Sequence, residues 1–196
     1  MRTFIASALL TLSFAVNAQT FNIVENGITY RFPASQAGYM QYVDGTSLTV
    51  LGRSFALASV DSMYIDDGVI SDNAVEVVYD GTSASVFVAG NVARYVDAAV
   101  RGAHVVLLQS ADLADEITYT LRGASTDGSL YMDGSLKATF VLDGLTLNNP
   151  DSAAINIRDG KRIAVLLADN TESTLSDGAG GTQKACFAVK GHTEFN

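Results

Sequence analysis

Residues 141–157 read VLDGLTLNNPDSAAINI. Leu145-Thr146-Leu147 alternates apolar and polar residues as a half-buried strand does, and so does Ile155-Asn156-Ile157. Between them lies Asn148-Asn149-Pro150-Asp151, a turn composition with no room for a helix. The same pattern returns further along. SAAINIRDGK (152–161) lines up with KACFAVKGH (184–192): Ala153 matches Ala185, Ile155 matches Phe187 and Ile157 matches Val189, 32 residues apart. TFVLDG (139–144) lines up with AVLLAD (164–169), 25 residues apart. Short strands recurring at such a period, through turns of variable length, mark a β-solenoid in which each coil buries a stripe of Leu, Ile, Val and Phe. A parallel β-helix is therefore expected over the third block, 129–196. An ordinary antiparallel sheet on similar turns is the alternative that periodicity leaves open.

The rest of the chain is β-like, with 17 Gly, 2 Pro and no amphipathic helical period. FNIVENGITYRF (21–32) offers two strands around Asn26-Gly27, a strong hairpin signal. SLTVLGRSFAL and VDSMYID follow, so 19–70 reads as a small β-rich N-terminal segment. The polar stretch 66–73 reads as a linker. In 74–125, alternating runs flank Asp80-Gly81 and Arg101-Gly102, which suggests a sandwich or irregular sheet packed on the coils. The domain that follows the linker is expected to span 74–196. It would hold two coils and the start of a third, short of the three repeats and polar cap that a solenoid needs. The chain is thus expected to be an N-terminal fragment of a longer protein.

Residues 1–18 look like an export signal. Arg2 precedes an apolar run at 4–16 that is too short to span a bilayer, and Val16-Asn17-Ala18 ends in the small residues that signal peptidase accepts. A mature chain starting near Gln19, secreted or held at the cell surface, is expected. The remainder has no run of the ~20 apolar residues a membrane span requires. Net charge is −9, with 21 acidic against 12 basic residues, so a phosphate backbone is a poor partner and nucleic acid is excluded. Cys186 is the single cysteine, so an intrachain disulfide is impossible and the core must carry stability.

The stretch 116–178 resembles the secreted carbohydrate-binding proteins with a right-handed parallel β-helix, a fold shared with pectate lyases. The matching parts are LDGLTLNN (142–149), AINI (154–157) and LSDG (175–178), with KGHTEF (190–195) beyond them. The resemblance implies an incomplete right-handed parallel β-helix that binds acidic or cellulosic plant polysaccharide without catalysis and holds calcium.

Three constellations are candidates for that chemistry. Acidic turns recur at Asp143, Asp151, Asp159, Asp169 and Asp177, beside Asn148, Asn149 and Asn170. Stacked coils can superpose such carboxylates, and calcium takes six to eight oxygens; turn capping alone accounts for them as well. Asp143, Asp169 and Asp177 are the metal candidates. Arg158-Asp159-Gly160-Lys161-Arg162 is the dense basic run, and Arg158, Lys161 and Arg162 are candidates to pair uronate carboxylates. Tyr131, in an alternating polar context, is the candidate for stacking on a sugar ring; Tyr79, Tyr95 and Tyr119 read as core-edge residues. His104 and His192 lack metal-ligand spacing, and Cys186 reads as a buried small hydrophobe. No G-x-S-x-G, P-loop or dinucleotide motif occurs. The expected function is non-catalytic polysaccharide binding. A lyase of the same fold and an adhesive surface solenoid are the rivals.

Overall fold

A computed structural model describes residues 19–110, 115–159, 161–181 and 183–196. The export signal at 1–18 lies outside the described residues, as does Gly160 of the basic run. The fold is all-β, with short 3-10 turns and no α-helix among the described residues.

The chain runs β1 (Thr20–Glu25), β2 (Ile28–Pro33), β3 (Gln41–Val43), β4 (Ser47–Val50), β5 (Arg53–Ala56), β6 (Val60–Asp66), β7 (Ala74–Asp80), β8 (Ser83–Ala89) and β9 (Val96–Arg101). It continues with β10 (Ala103–Gln109), β11 (Ile117–Ser125), β12 (Gly128–Asp133), β13 (Ala138–Asn149), β14 (Ile155–Ile157), β15 (Ile163–Leu167), β16 (Thr174–Asp177), β17 (Phe187–Val189) and β18 (Thr193–Phe195). These form a ten-stranded sheet, a five-stranded sheet in the order β17-β14-β12-β10-β9, and a three-stranded sheet β3-β4-β5.

The two larger sheets are mixed. Their N-terminal ends are mostly antiparallel: β1 with β2 and β6, β7 with β8, and β9 with β10, while β2 and β8 pair in parallel. The later strands pair in parallel, β7-β11-β13-β15-β18 in the large sheet and β10-β12-β14-β17 in the smaller one. Local sequence explains the antiparallel part. Asn26 (φ 51°) and Gly27 (φ 77°) both take left-handed backbone, the geometry of a two-residue turn whose twist suits a hairpin. The parallel pairs follow the internal repeat: Thr139 pairs with Ala164 and Leu142 with Leu167, while Ile155 pairs with Phe187 and Ile157 with Val189. The opening stretch differs in one respect. Leu145–Leu147 is not a separate strand but the second half of β13, bent at Gly144 (φ 63°).

One set of buried apolar side chains runs from Ile23 and Phe32 through Val77, Leu107 and Tyr119 to Phe140, Ile157 and Val165. Two side chains then set where the smaller sheet sits. Arg53 of β5 donates to Tyr30 Oη (2.9 Å) and Asp97 Oδ1 (2.7 Å), to the carbonyls of Ala93 (3.1 Å) and Val96 (3.3 Å), and pairs with Glu25 (3.4 Å). It therefore ties the three-stranded sheet to the start of β9. Burial pushes the Tyr30 hydroxyl up to about 12, so it stays neutral as an acceptor there. Tyr79 of β7 donates to the Ser129 carbonyl (3.2 Å), which fixes β12 against the large sheet.

Candidate functional site

The five-stranded sheet keeps one face in the core. Val105, Leu107, Leu130, Met132, Ile155 and Ile157 are each at most 1% exposed. Because side chains alternate, the intervening residues of the same strands form the opposite face, and register places them in rows. His104 pairs with Arg101 on one side and Ser129 on the other. Val106 stands between Ala99 and Tyr131, and Tyr131 pairs onward with Asn156, which pairs with Ala188. Leu108 stands between Asp97 and Asp133. The central row thus crosses five strands at about 4.8 Å spacing.

The centre of this face is apolar and its margins are polar. Val106 is 37% and Leu108 47% exposed. Tyr131 is half-buried, and its hydroxyl points toward Asp133 Oδ2 (3.4 Å). Arg158 lies one residue beyond the Met132–Ile157 pair, so it stands beside Asp133, exposed on the same face. At the other margin His104 Nδ1 and Ser129 Oγ share a hydrogen bond (2.9 Å), and His104 Nε2 is 3.6 Å from Asp127 Oδ1. An aromatic ring and two aliphatic chains between rims of hydrogen-bonding groups can hold a sugar ring by one face and bond its hydroxyls at the edges.

Ser129, His104 and Asp127 are the residue types of a hydrolytic triad, but the surroundings do not support a nucleophile. Asp127 is two-thirds exposed. The backbone N–H that follows Ser129, the usual oxyanion donor, is spent on the Ala154 carbonyl (Leu130 N, 2.8 Å). A shallow cleft of about 230 Å³ nearby, lined by Asp80, Ser125, Thr126 and Thr146 among others, offers hydroxyls and one carboxylate.

The basic run separates. Arg158 and Lys161 are exposed. Arg162 turns to Glu116, donating at 2.9 and 3.1 Å, and lies 3.6 Å from Glu194; Thr139 also donates to Glu116 (2.6 Å). Arg162 is therefore already matched with acid. Asp159, read from sequence as a turn carboxylate, is fully buried. The metal candidates are not assembled either. Asp143 is half-buried in β13, Asp169 is exposed after β15, and Asp177 is exposed at the end of β16. Among the described residues no three His, Cys, Asp or Glu side chains come together. Asp143, Asp169 and Asp177 do not by themselves make the six- to eight-oxygen shell that calcium takes.

Burial pushes the Asp159 carboxyl above its ordinary 3.8; the backbone N–H groups of Lys161 and Leu136 pull it back, Asp133 pushes it further up, and the Lys161 charge opposes. A raised folded value means that the folded state holds the proton more tightly. That contribution to stability is whole below 3.8 and is lost as pH rises through the raised value. Asp159→Asn removes the titration. Its stability relative to the parent, followed by urea denaturation, is expected to improve as pH rises from about 4 to about 8; a difference flat with pH would contradict this.

A family model described as carbohydrate-binding domain-containing protein matches residues 109–193. A carbohydrate-binding domain-containing protein of Acetivibrio thermocellus is 34% identical over 61 residues, 30% of this chain and 21% of that protein. The chain thus spans about a fifth of the length of that curated relative. A solved structure of the polysaccharide lyase-like protein from C. thermocellum, a gadolinium derivative, aligns over 62% of this chain and 48% of its own, at 21% identity and a TM-score of 0.48. The matched stretch 109–193 carries Tyr131, Asp133, Asn156 and Arg158, while Val106, Leu108 and His104 lie before it. Of the residues on this face, sequence reasoning singled out Tyr131 and Arg158. It missed Val106, Leu108, His104 and Asn156, because His-Val-Val-Leu-Leu reads as apolar on both faces until its pairing is known.

Proposed function

We propose that the protein is a non-catalytic polysaccharide-binding protein, exported through residues 1–18, whose binding surface is the outer face of the five-stranded sheet. The observation that carries this is the strip of half-buried Tyr131 beside exposed Val106 and Leu108, flanked by hydrogen-bonding side chains, within and beside the stretch similar to carbohydrate-binding domains. A flat apolar strip with polar margins suits one face of a glycan chain. The parallel pairing of β11, β13, β15 and β18, and of β12, β14 and β17, supports extending the reading to a parallel β-helix over 74–196, with 19–70 as a β-rich N-terminal segment. Cellulosic and acidic glycans are both in scope. Calcium enters only as a proposed bridge between an acidic glycan and surface carboxylates.

Calorimetric titration of the mature protein with soluble cellulose oligomers and with polygalacturonate, with calcium and with chelator, tests the reading. Ultraviolet absorbance monitors unsaturated product. Saturable binding without product is expected, and chelator is expected to weaken only the acidic ligand. Product formation would replace the reading with a lyase, and absence of binding to either glycan would leave an adhesive solenoid.

A further inference from the structure

The shallow cleft lies on the large sheet, where β7, β11, β13 and β16 run side by side. Register aligns Asp80 with Ala124, Ala124 with Thr146, and Thr146 with Thr174. All four are exposed, whereas the adjoining Tyr79, Ser125, Leu145 and Leu147 are at most 3% exposed. Alternation therefore puts the row on the solvent side, its members about 4.8 Å apart across the strands. Ala124 has the shortest side chain of the row, and the dip it leaves between Asp80 and Thr146 forms the floor of the cleft of about 230 Å³. The Asp80-Gly81 turn bounds it, held by the Gly81 N–H on the Ala124 carbonyl (2.9 Å), and Thr126 also lines it.

The groups around the cleft select a ligand. The Asp80 carboxylate and the Thr126 and Thr146 hydroxyls have no side-chain partner among the described residues. By contrast Glu76 is paired with Arg122, and Glu116 with Arg162, so those cations are already engaged. A carboxylate accepts from two hydroxyls at once, and a threonine hydroxyl both donates and accepts. The Ala124 and threonine methyls offer apolar contact to the C–H side of a ring. A lone negative charge with no free cation beside it opposes a uronate. One carboxylate falls far short of the six to eight oxygens that calcium takes. Pockets for drug-sized ligands start at about 300 Å³, so this cleft suits one ring rather than an oligomer. We propose that it is a subsite for a single neutral sugar residue, whose adjacent hydroxyls donate to Asp80 and whose other hydroxyls bond Thr126 and Thr146. The proposal rests on the polysaccharide reading for its class of ligand, but not on the face of the five-stranded sheet.

Calorimetric titration of the mature protein and two variants tests this, with cellohexaose and xylohexaose as neutral probes and polygalacturonate as the acidic one. Asp80→Ala removes the carboxylate, and Ala124→Leu fills the floor. Both positions are exposed, so the core is untouched and the thermal midpoint should hold; if one variant fails to fold, the other decides. Each is expected to lower the affinity of the neutral probe that the parent binds about tenfold or more, while polygalacturonate affinity does not fall with Asp80→Ala. A parent that binds neither neutral probe, unchanged neutral-probe affinity in the folded variants, or an equal loss toward polygalacturonate overturns the proposal. Tyr131→Ala, titrated alongside, separates the two surfaces. A loss confined to Tyr131→Ala overturns the subsite and leaves the five-stranded face standing. A loss confined to the cleft variants supports the subsite and overturns that face.

Discussion

Phe140→Ala is expected to remove about 3–5 kcal/mol of stability, the range for truncating a fully buried phenylalanine. Phe140 is 0% exposed and sits mid-ladder in the large sheet. Its register partners are Tyr119 on β11 and Val165 on β15, both themselves 0% exposed. The Tyr119 and Phe140 rings stack, with centroids 5.1 Å apart and planes 17° off parallel. Alanine therefore loses the transfer energy of a phenyl group and the stacking contact, and leaves a void. Strand pairing on both sides holds the backbone, so the void cannot collapse easily. Urea denaturation checks the size, and the thermal midpoint should fall by roughly 10 °C. A loss below about 1 kcal/mol would mean that this part of the core is loosely packed, contrary to the pairing described.

Gly123→Ala is expected to be nearly as damaging, for a backbone reason. Gly123 interrupts the β11–β13 register and takes φ 89°. A Cβ there would lie 2.1 Å from the Tyr79 carbonyl oxygen and 3.1 Å from the Tyr79 nitrogen. Both are backbone atoms of the paired strand β7, so no side-chain rotation relieves the overlap. Left-handed strain adds about 1–2 kcal/mol, and separating the strands brings the total to about 3 kcal/mol or more. Shifting Tyr79 also loosens its hydroxyl from the Ser129 carbonyl, so glycan binding is expected to weaken along with stability. Gly180→Ala is the control. It would meet nothing within 4 Å and lacks positive φ, so its effect should stay within about 0.5 kcal/mol. Equal effects at the two glycines would refute the argument from close backbone approach.

The strand pairing that builds the later coils was legible because it is written as a repeat. Aligning TFVLDG with AVLLAD, and SAAINI with KACFAV, predicted the partners that β13 and β15, and β14 and β17, adopt. The Asn26-Gly27 hairpin was legible because its two residues are those that accept left-handed backbone. The parallel pairing of β2 with β8 was not. It joins segments more than fifty residues apart that share only an alternating pattern common to most strands here, and alternation fixes a face, not a neighbour. Asp159 shows the converse limit. In the sequence it is one more Asp before Gly; only the stacking of three strand ends turns it inward. Of the candidate site, the ring was visible, but the aliphatic residues beside it were hidden in an unbroken apolar run.

Tyr131 is the centre of the proposed glycan-binding face. Titration of the parent and of Tyr131→Ala with whichever polysaccharide the parent binds tests it most directly. Tyr131 points outward, so stability should change little while affinity falls about tenfold or more, equivalent to about 1.4 kcal/mol. Unchanged affinity in a folded Tyr131→Ala protein would contradict the account and move the binding surface elsewhere on the molecule.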